Sequence, residues 1–118
     1  MTVTIFHNPA CSKSRATLAL IREAGIEPRV VRYLETPPER ARLSALLAAM
    51  EMAPRDLLRR GEAVFGELGL SDDSLSEAAL VEAMVAHPRL IERPIVETPL
   101  GVRLCRPPER VLEILPPA

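Results

Sequence analysis

Residues 3–15 read VTIFHNPACSKSR and set the architecture of the first part of the chain. The opening residues, Val3–Phe6, form a short apolar run typical of a buried strand. A helical pattern follows over Ser14–Ala24, and Gly25 stands where a helix commonly ends in glycine. The sequence therefore predicts that Cys11 lies at the start of a helix, shortly after a strand.

A thiol at the start of a helix is in an activating environment. The unpaired N–H groups and the helix dipole favour the thiolate, which is the reactive form, and the same N–H groups can bind an anion. His7, Lys13 and Arg15 add cationic or polarisable side chains to this segment. We expect Cys11 to be a nucleophile in an anion-binding site; the alternative is a buried structural cysteine, a common fate of a free thiol.

The composition limits the classes of protein that the chain can represent. It has 118 residues, 47% of them hydrophobic and only three aromatic, so we expect one domain over residues 1–118 with an aliphatic core. A net charge of −1 without a dense basic block argues against nucleic-acid binding. Two distant cysteines and two histidines predict neither a disulfide framework nor a metal site. Fourteen of the fifteen basic residues are arginine, whose guanidinium binds tetrahedral oxyanions bidentately.

No targeting or membrane segment is visible in the sequence. The N-terminus runs directly into the first strand pattern, and no window approaches 18 consecutive apolar residues. We expect a cytoplasmic, monomeric protein that makes no contact with a membrane.

The remaining elements are predicted from apolar spacing and turn residues. Thr36–Glu39 has the form of a capping box and is expected to open an all-helical insert at about 37–88. A second strand is expected at Val30–Leu34, before the insert. Within the insert, the predicted helices are one that runs through Met50, one at Pro54–Arg60 and one at Leu75–Ala86 with Ser74 or Ser76 as its N-cap. After the insert, two strands are expected at Ile95–Thr98 and Val102–Cys105, followed by a last helix at Pro108–Leu115. The first strand, helix and second strand predict a right-handed βαβ unit, and the last two strands a hairpin.

This element order, with a cysteine after the first strand and a proline opening the third, resembles the thioredoxin fold with a helical insertion. Five motifs extend the resemblance to the glutaredoxin-coupled arsenate reductase family. In chain order they are HNPAC at 7–11, YLETP at 33–37, LLR at 57–59, RPIV at 93–96 and RP at 106–107. The resemblance covers Val3 to Leu115. It implies an α/β protein with a mixed four-stranded sheet that reduces arsenate to arsenite.

The resemblance also implies which residues form the active site. In the family a cysteine attacks the oxyanion and three arginines hold it; the matching positions here are Cys11, Arg59, Arg93 and Arg106. By charge pattern alone Arg59 is more typical of a solvated helix face, so only the resemblance selects it. Arg93 and Arg106 each precede a proline, and such extended segments at element boundaries can bring side chains together.

Three further residues are implied to lie at the site. His7 and Ser14 are expected to modulate the thiol. Pro94 is expected to follow a cis peptide bond opposite the cysteine, although most X–Pro bonds are trans.

A Cys-x-x-Cys redox pair is missing, because residues 11–14 read CSKS and Ser14 cannot resolve a disulfide. Cys105 is the other thiol, but strand alternation points it to the core if its neighbour Arg106 faces an anion. The resemblance implies that glutathione and glutaredoxin supply the thiols, with no bound metal or organic cofactor. In that scheme the Cys11 thiolate displaces water from arsenate, glutathione attacks the thiol–arsenic adduct, and glutaredoxin helps release arsenite.

Three other functions share this architecture. One is a thiol-based reductase acting on a different substrate. Another is a redox-responsive regulator that binds RNA polymerase, although such proteins typically carry a Cys-x-x-Cys switch and Ser14 occupies its second position here. The last is a thioredoxin-like binding module that uses Cys11 only for glutathionylation.

Overall fold

The computed structural model describes residues 2–118, which divide into two compact units. One unit combines the chain up to Thr36 with Arg93–Ala118, and the other is Pro37–Glu92. The helical insert expected at about 37–88 overlaps the second unit. The expectation of one domain over residues 1–118 stays a prediction.

The first unit contains a four-stranded sheet. Its strands are β1 (Thr4–His7), β2 (Arg29–Arg32), β3 (Ile95–Thr98) and β4 (Gly101–Leu104). They lie in the order β2-β1-β3-β4, with β1 and β2 parallel and the other two pairs antiparallel. In the centre, Ile5 pairs with Val30 on one side and Val96 on the other. This arrangement confirms the predicted mixed four-stranded sheet and its α/β class.

The first helix, α1, spans Ser12–Glu23 and has Cys11 as its N-cap. Its end is marked by Gly25, which adopts φ +82° and donates its N–H to the carbonyl of Arg22 at 3.0 Å. Glycine suits this position because the left-handed region is strained for residues with a Cβ. The predicted junction between strand, cysteine and helix is therefore confirmed, with α1 beginning directly after Cys11.

An aliphatic core lies in the first unit. Its buried members are Val3, Ile5, Ile21, Val96, Cys105, Val111 and Ile114. Burial of each large aliphatic side chain stabilises the fold by about 1.5–3 kcal/mol relative to exposure. Cys105 is fully buried in this cluster, which confirms that it faces the core.

The last element is a 3₁₀ helix, Pro108–Glu113, which ends two residues before the helix predicted over Pro108–Leu115. The amide of Arg110 donates to the carbonyl of Pro107 and that of Ile114 to Val111, so both bonds have the three-residue spacing of a 3₁₀ helix. The predicted helix is therefore confirmed in place, and the structure specifies its 3₁₀ type.

The second unit is helical. Its elements are α2 (Arg40–Met50), α3 (Pro54–Leu57), α4 (Ala63–Glu67), α5 (Glu77–Ala86) and a 3₁₀ turn, Pro88–Leu90. Ser76 is the N-cap of α5, where its Oγ accepts from the amide of Ala79 at 3.1 Å. The short helix α4 was not among the individual helices predicted within the all-helical insert.

Two predicted boundaries in this part of the chain are wrong. The capping box fails because α2 begins after Glu39, while the Thr36 hydroxyl donates to the carbonyl of Arg32 and closes the turn after β2. The helix predicted at Pro54–Arg60 ends at Leu57, since the next residue forms a β-bridge with Ile91.

Candidate active site

The loop between β1 and α1 holds Cys11 in place through its own backbone. The side-chain Oδ1 of Asn8 accepts a hydrogen bond from the amide of Ala10 at 3.0 Å. The backbone carbonyl of Asn8 accepts one from the amide of Cys11, also at 3.0 Å. Such Asx turns reverse the chain within a few residues. The guanidinium of Arg15 donates to the carbonyl of Pro9, in the same loop, at 2.9 Å.

Cys11 is partly exposed and its thiol is activated. Burial raises its pKa, but hydrogen bonds from the Ser14 amide, the Arg93 side chain and the Lys13 amide, with the charge of Arg93, lower it by more. The net pKa therefore lies below the ordinary value for cysteine.

Arg93 and Arg106 are joined to each other. A guanidinium nitrogen of Arg106, Nη1, donates to the carbonyl of Arg93 at 2.9 Å. The Arg93–Pro94 peptide is cis, which confirms the prediction, and the Arg106–Pro107 peptide is also cis, which was not predicted. Within residues 2–118, the Nε of Arg93 is buried and has no hydrogen-bond partner. Arg93 therefore interacts with the Cys11 thiol through its side chain and with the Arg106 guanidinium through its carbonyl.

The second thiol is chemically different. Burial raises the pKa of Cys105 to about 12. Its amide donates to the carbonyl of Pro94 at 2.9 Å, and the sulfur is directed to the carbonyl of Arg103. Cys105 thus stays a neutral thiol near neutral pH, and its pKa is shifted in the direction opposite to that of Cys11.

His7 and Ser14 form a buried pair behind the cysteine loop. The Nδ1 of His7 lies 2.6 Å from Ser14 Oγ. Burial lowers the pKa of His7, and the charges of Arg32, Arg22 and Arg15 lower it further. The imidazole is consequently held neutral rather than adding a positive charge to the site.

Arg59 lies in the second unit, in the segment between α3 and α4. Its Nη1 donates to Glu92 at 2.6 Å, and its amide donates to the carbonyl of Leu90 at 2.8 Å. In the part of the chain from 2 to 118, its Nε is buried and lacks a hydrogen-bond partner. The presence of Arg59 in one site with Cys11 stays a prediction.

Sequence reasoning did not assign a role to Asn8 or Glu92. Asn8 builds the loop through its side chain, and Glu92 pairs with an arginine 33 positions away. An Asn–Pro step is a turn signal that could have indicated the first. No local pattern indicates the second.

Residues 2–118 contain neither a metal-binding cluster nor a membrane-spanning helix. No group of three or more His, Cys, Asp or Glu side chains comes together there as a metal site. None of the helices in that range is long and apolar enough to cross a membrane.

A mixed four-stranded sheet with a low-pKa cysteine at the first helix N-terminus defines a thioredoxin-like α/β protein with an activated thiol. The sequence profile of the ArsC family matches residues 6–114. The chain belongs to the ArsC family, as its motifs predicted.

Individual relatives agree with this assignment. The chain is 59% identical over 116 residues to an arsenate reductase of Rhizobium meliloti, covering 98% of this chain and 83% of the relative. It is 54% identical over 114 residues to the uncharacterized protein YfgD of Escherichia coli K12, with 96% of each covered. The solved structure of an arsenate reductase from Vibrio cholerae is 50% identical and matches with a TM-score of 0.94 over 98% of each chain.

Proposed function

We propose that this protein reduces arsenate to arsenite through the thiolate of Cys11, with Arg59, Arg93 and Arg106 holding the oxyanion. The observation that carries the proposal is the activation of a partly exposed thiol by the Arg93 side chain and two helix amides. The arsenate reductases of Rhizobium meliloti and Vibrio cholerae, which are 59% and 50% identical to the chain, support the choice of substrate.

Charge compensation is the main physical requirement of this reaction. Arsenate is an anion at neutral pH, so its approach to a thiolate brings like charges together. Arginine side chains and a helix N-terminus supply the opposing field, and preorganised donors of this kind are often the largest catalytic contribution. The buried Nε donors of Arg59 and Arg93, which lack acceptors within residues 2–118, support an oxyanion as the missing partner.

The proposed cycle begins when the Cys11 thiolate attacks arsenic and one arsenate oxygen leaves as water. Glutathione then attacks the thiol–arsenic adduct, and glutaredoxin helps release arsenite. Over the cycle arsenic gains two electrons, two external thiols are joined as a disulfide, and Cys11 returns as a thiol. No bound metal or organic cofactor takes part in this scheme.

The need for external thiols follows from the two candidate internal partners. Ser14 occupies the place of a second cysteine, and its hydroxyl cannot form a disulfide. Cys105 is fully buried, and burial raises its pKa to about 12. Both features support glutathione and glutaredoxin as the thiol donors. Because these belong to the reducing pool of the cytosol, we place the protein in the cytoplasm.

The direct test compares two cysteine variants in an assay of arsenite release with glutathione and glutaredoxin. Cys11→Ser should abolish turnover because no thiolate remains to attack arsenic. Cys105→Ala should keep most of it. Equal losses in both variants would instead point to an intramolecular thiol pair.

The same preparation separates the alternative functions. Binding to RNA polymerase without any thiol-dependent turnover would favour the regulator. Glutathionylation of Cys11 whose rate is unaffected by arsenate would favour the binding module. Turnover with another oxyanion but not with arsenate would favour a reductase of a different substrate.

A further inference from the structure

Arg59 and Glu92 are held face to face by a short piece of β-structure inside the second unit. The amide of Arg59 donates to the carbonyl of Leu90, and the amide of Glu92 donates to the carbonyl of Leu57, both at 2.8 Å. Between them, Leu58 forms an antiparallel bridge with Ile91. These backbone hydrogen bonds therefore hold the Cα positions of Arg59 and Glu92 on two neighbouring segments.

The two side chains form a close and partly buried ion pair. The Nη1 of Arg59 lies 2.6 Å from the Oε1 of Glu92, and the two side chains are only 25% and 22% exposed. The Arg40–Glu82 pair in the same unit has a similar distance, 2.7 Å, but exposures of 69% and 54%. A pair that is shielded from water keeps its geometry better than an exposed one, because solvent competes less for its hydrogen bonds.

The remaining donors of Arg59 indicate what the pair is for. A guanidinium presents Nε and Nη2 side by side on one edge, and Arg22 uses that edge to bind both carboxylate oxygens of Glu27 at 3.0 Å. Glu92 instead takes Nη1, which leaves the Nε–Nη2 edge for a ligand. Within residues 2–118 the Nε of Arg59 is buried without a partner, although an unsatisfied buried donor is costly.

We propose that Glu92 is a positioning residue for oxyanion binding, which holds Arg59 so that its Nε–Nη2 edge is presented to a tetrahedral oxyanion. This inference rests on the proposed function, because it takes Arg59 as one of the oxyanion-binding arginines. It adds a residue that the motif comparison did not select. The carboxylate acts through Arg59 and does not touch the substrate.

The variants of Glu92 should form a graded series. Glu92→Ala frees the guanidinium to rotate and should raise the arsenate KM about tenfold with kcat within about threefold, since the loss falls on binding. Glu92→Gln keeps an oxygen acceptor but makes a weaker hydrogen bond, so it should raise KM about threefold. Glu82→Ala, which removes the exposed pair with Arg40, is the matched control and should leave KM unchanged.

A second measurement makes the test independent of turnover. Arsenate bound at the site should slow the alkylation of Cys11, and the arsenate concentration that gives half protection should rise in the same order as KM. Urea unfolding of each variant shows whether a change in binding merely reflects loss of the fold. In an Arg59→Ala background, Glu92→Ala should have no further effect, because the residue it positions is gone.

The outcomes distinguish this inference from the proposed function. If the wild-type protein shows no turnover but arsenate protects Cys11 with the graded series intact, the reductase proposal fails and the role of Glu92 stands. The inference is overturned if Glu92→Ala leaves KM and protection unchanged, lowers KM, or acts equally in the Arg59→Ala background. It is also overturned if arsenate gives no protection in the wild-type protein.

Discussion

The hydroxyl of Ser14 connects β1 to the first turn of α1. It lies 2.6 Å from the Nδ1 of His7 and accepts a hydrogen bond from the amide of Asn8 at 3.0 Å. All three residues are buried. The amide of Ser14, a separate group, acts on the Cys11 thiolate. One residue therefore ties the loop together through its side chain and activates the thiol through its backbone.

Removing the hydroxyl should separate these two roles. Ser14→Ala leaves the buried Asn8 amide without its acceptor, so the free energy of unfolding should fall by about 1–3 kcal/mol, as measured by urea denaturation. The pH midpoint of Cys11 alkylation should change little, because the amide of residue 14 remains. Ser12→Ala, at an exposed position in the same turn, should change stability by less than about 0.5 kcal/mol. Equal stabilities of the two variants would contradict the structural role of the hydroxyl.

Arg93 should set the reactivity of Cys11. In Arg93→Ala a hydrogen bond and a positive charge are lost from the thiolate, so the pKa of Cys11 should rise and the alkylation curve should move to higher pH. The measurement is the rate of iodoacetamide labelling against pH, with mass spectrometry to confirm that only Cys11 reacts. Cys105, whose pKa is about 12, should react only after unfolding. Arg103→Ala removes an ion pair with Glu113 and should leave the pH midpoint of Cys11 alkylation unchanged. An unchanged midpoint in Arg93→Ala as well would refute the role of Arg93 in lowering the pKa of Cys11.

His7 should make the fold less stable in acid. Its pKa is lowered from 6.5 in the folded protein, chiefly by burial and then by the charges of Arg32, Arg22 and Arg15. As the pH falls through 6.5, the unfolded chain takes up a proton that the folded protein still excludes, so the free energy of unfolding falls. The fall ends below the folded pKa, where both states are protonated.

Urea unfolding between about pH 7.5 and pH 5 tests this dependence, because the window spans the ordinary pKa of histidine. His7→Gln should lose less stability over that range than the wild-type protein. His87→Gln removes an exposed imidazole and keeps the buried imidazole of His7, so this variant should behave like the wild type. Identical pH dependence in His7→Gln and the wild type would rule out His7 as the titrating group.

Much of the first unit was predictable from local patterns. The apolar run before Cys11, the turn residues after it and the glycine at 25 placed β1 and α1 to within two residues. The apolar run at Ile95–Thr98 placed the start of β3. These strand and helix predictions succeeded because short-range sterics and apolar periodicity determine such elements. The cis peptide bond before Pro94 was predicted only by the family resemblance, since most X–Pro bonds are trans.

The errors have a common physical cause. The hydroxyl of Thr36 was expected to cap a helix, but it donates to the carbonyl of Arg32 at the end of β2. The helix after Pro54 was expected to reach Arg60, but its C-terminal residues pair with a segment about 30 positions away. In both cases a competing hydrogen-bond partner outside the local pattern took the group that the pattern had assigned.

The amino-acid sequence by itself predicted the position of a thiol before a helix, the mixed sheet and membership of the ArsC family. It did not predict which partner each charged side chain binds. Arg59 has several possible acceptors along the chain, and the Leu58–Ile91 bridge selects Glu92 among them. Likewise, two cysteines of equal intrinsic acidity become an activated and an inert thiol, because folding leaves one beside Arg93 and buries the other. Such differences arise from long-range packing, where distance and exclusion of water set the strength of each interaction.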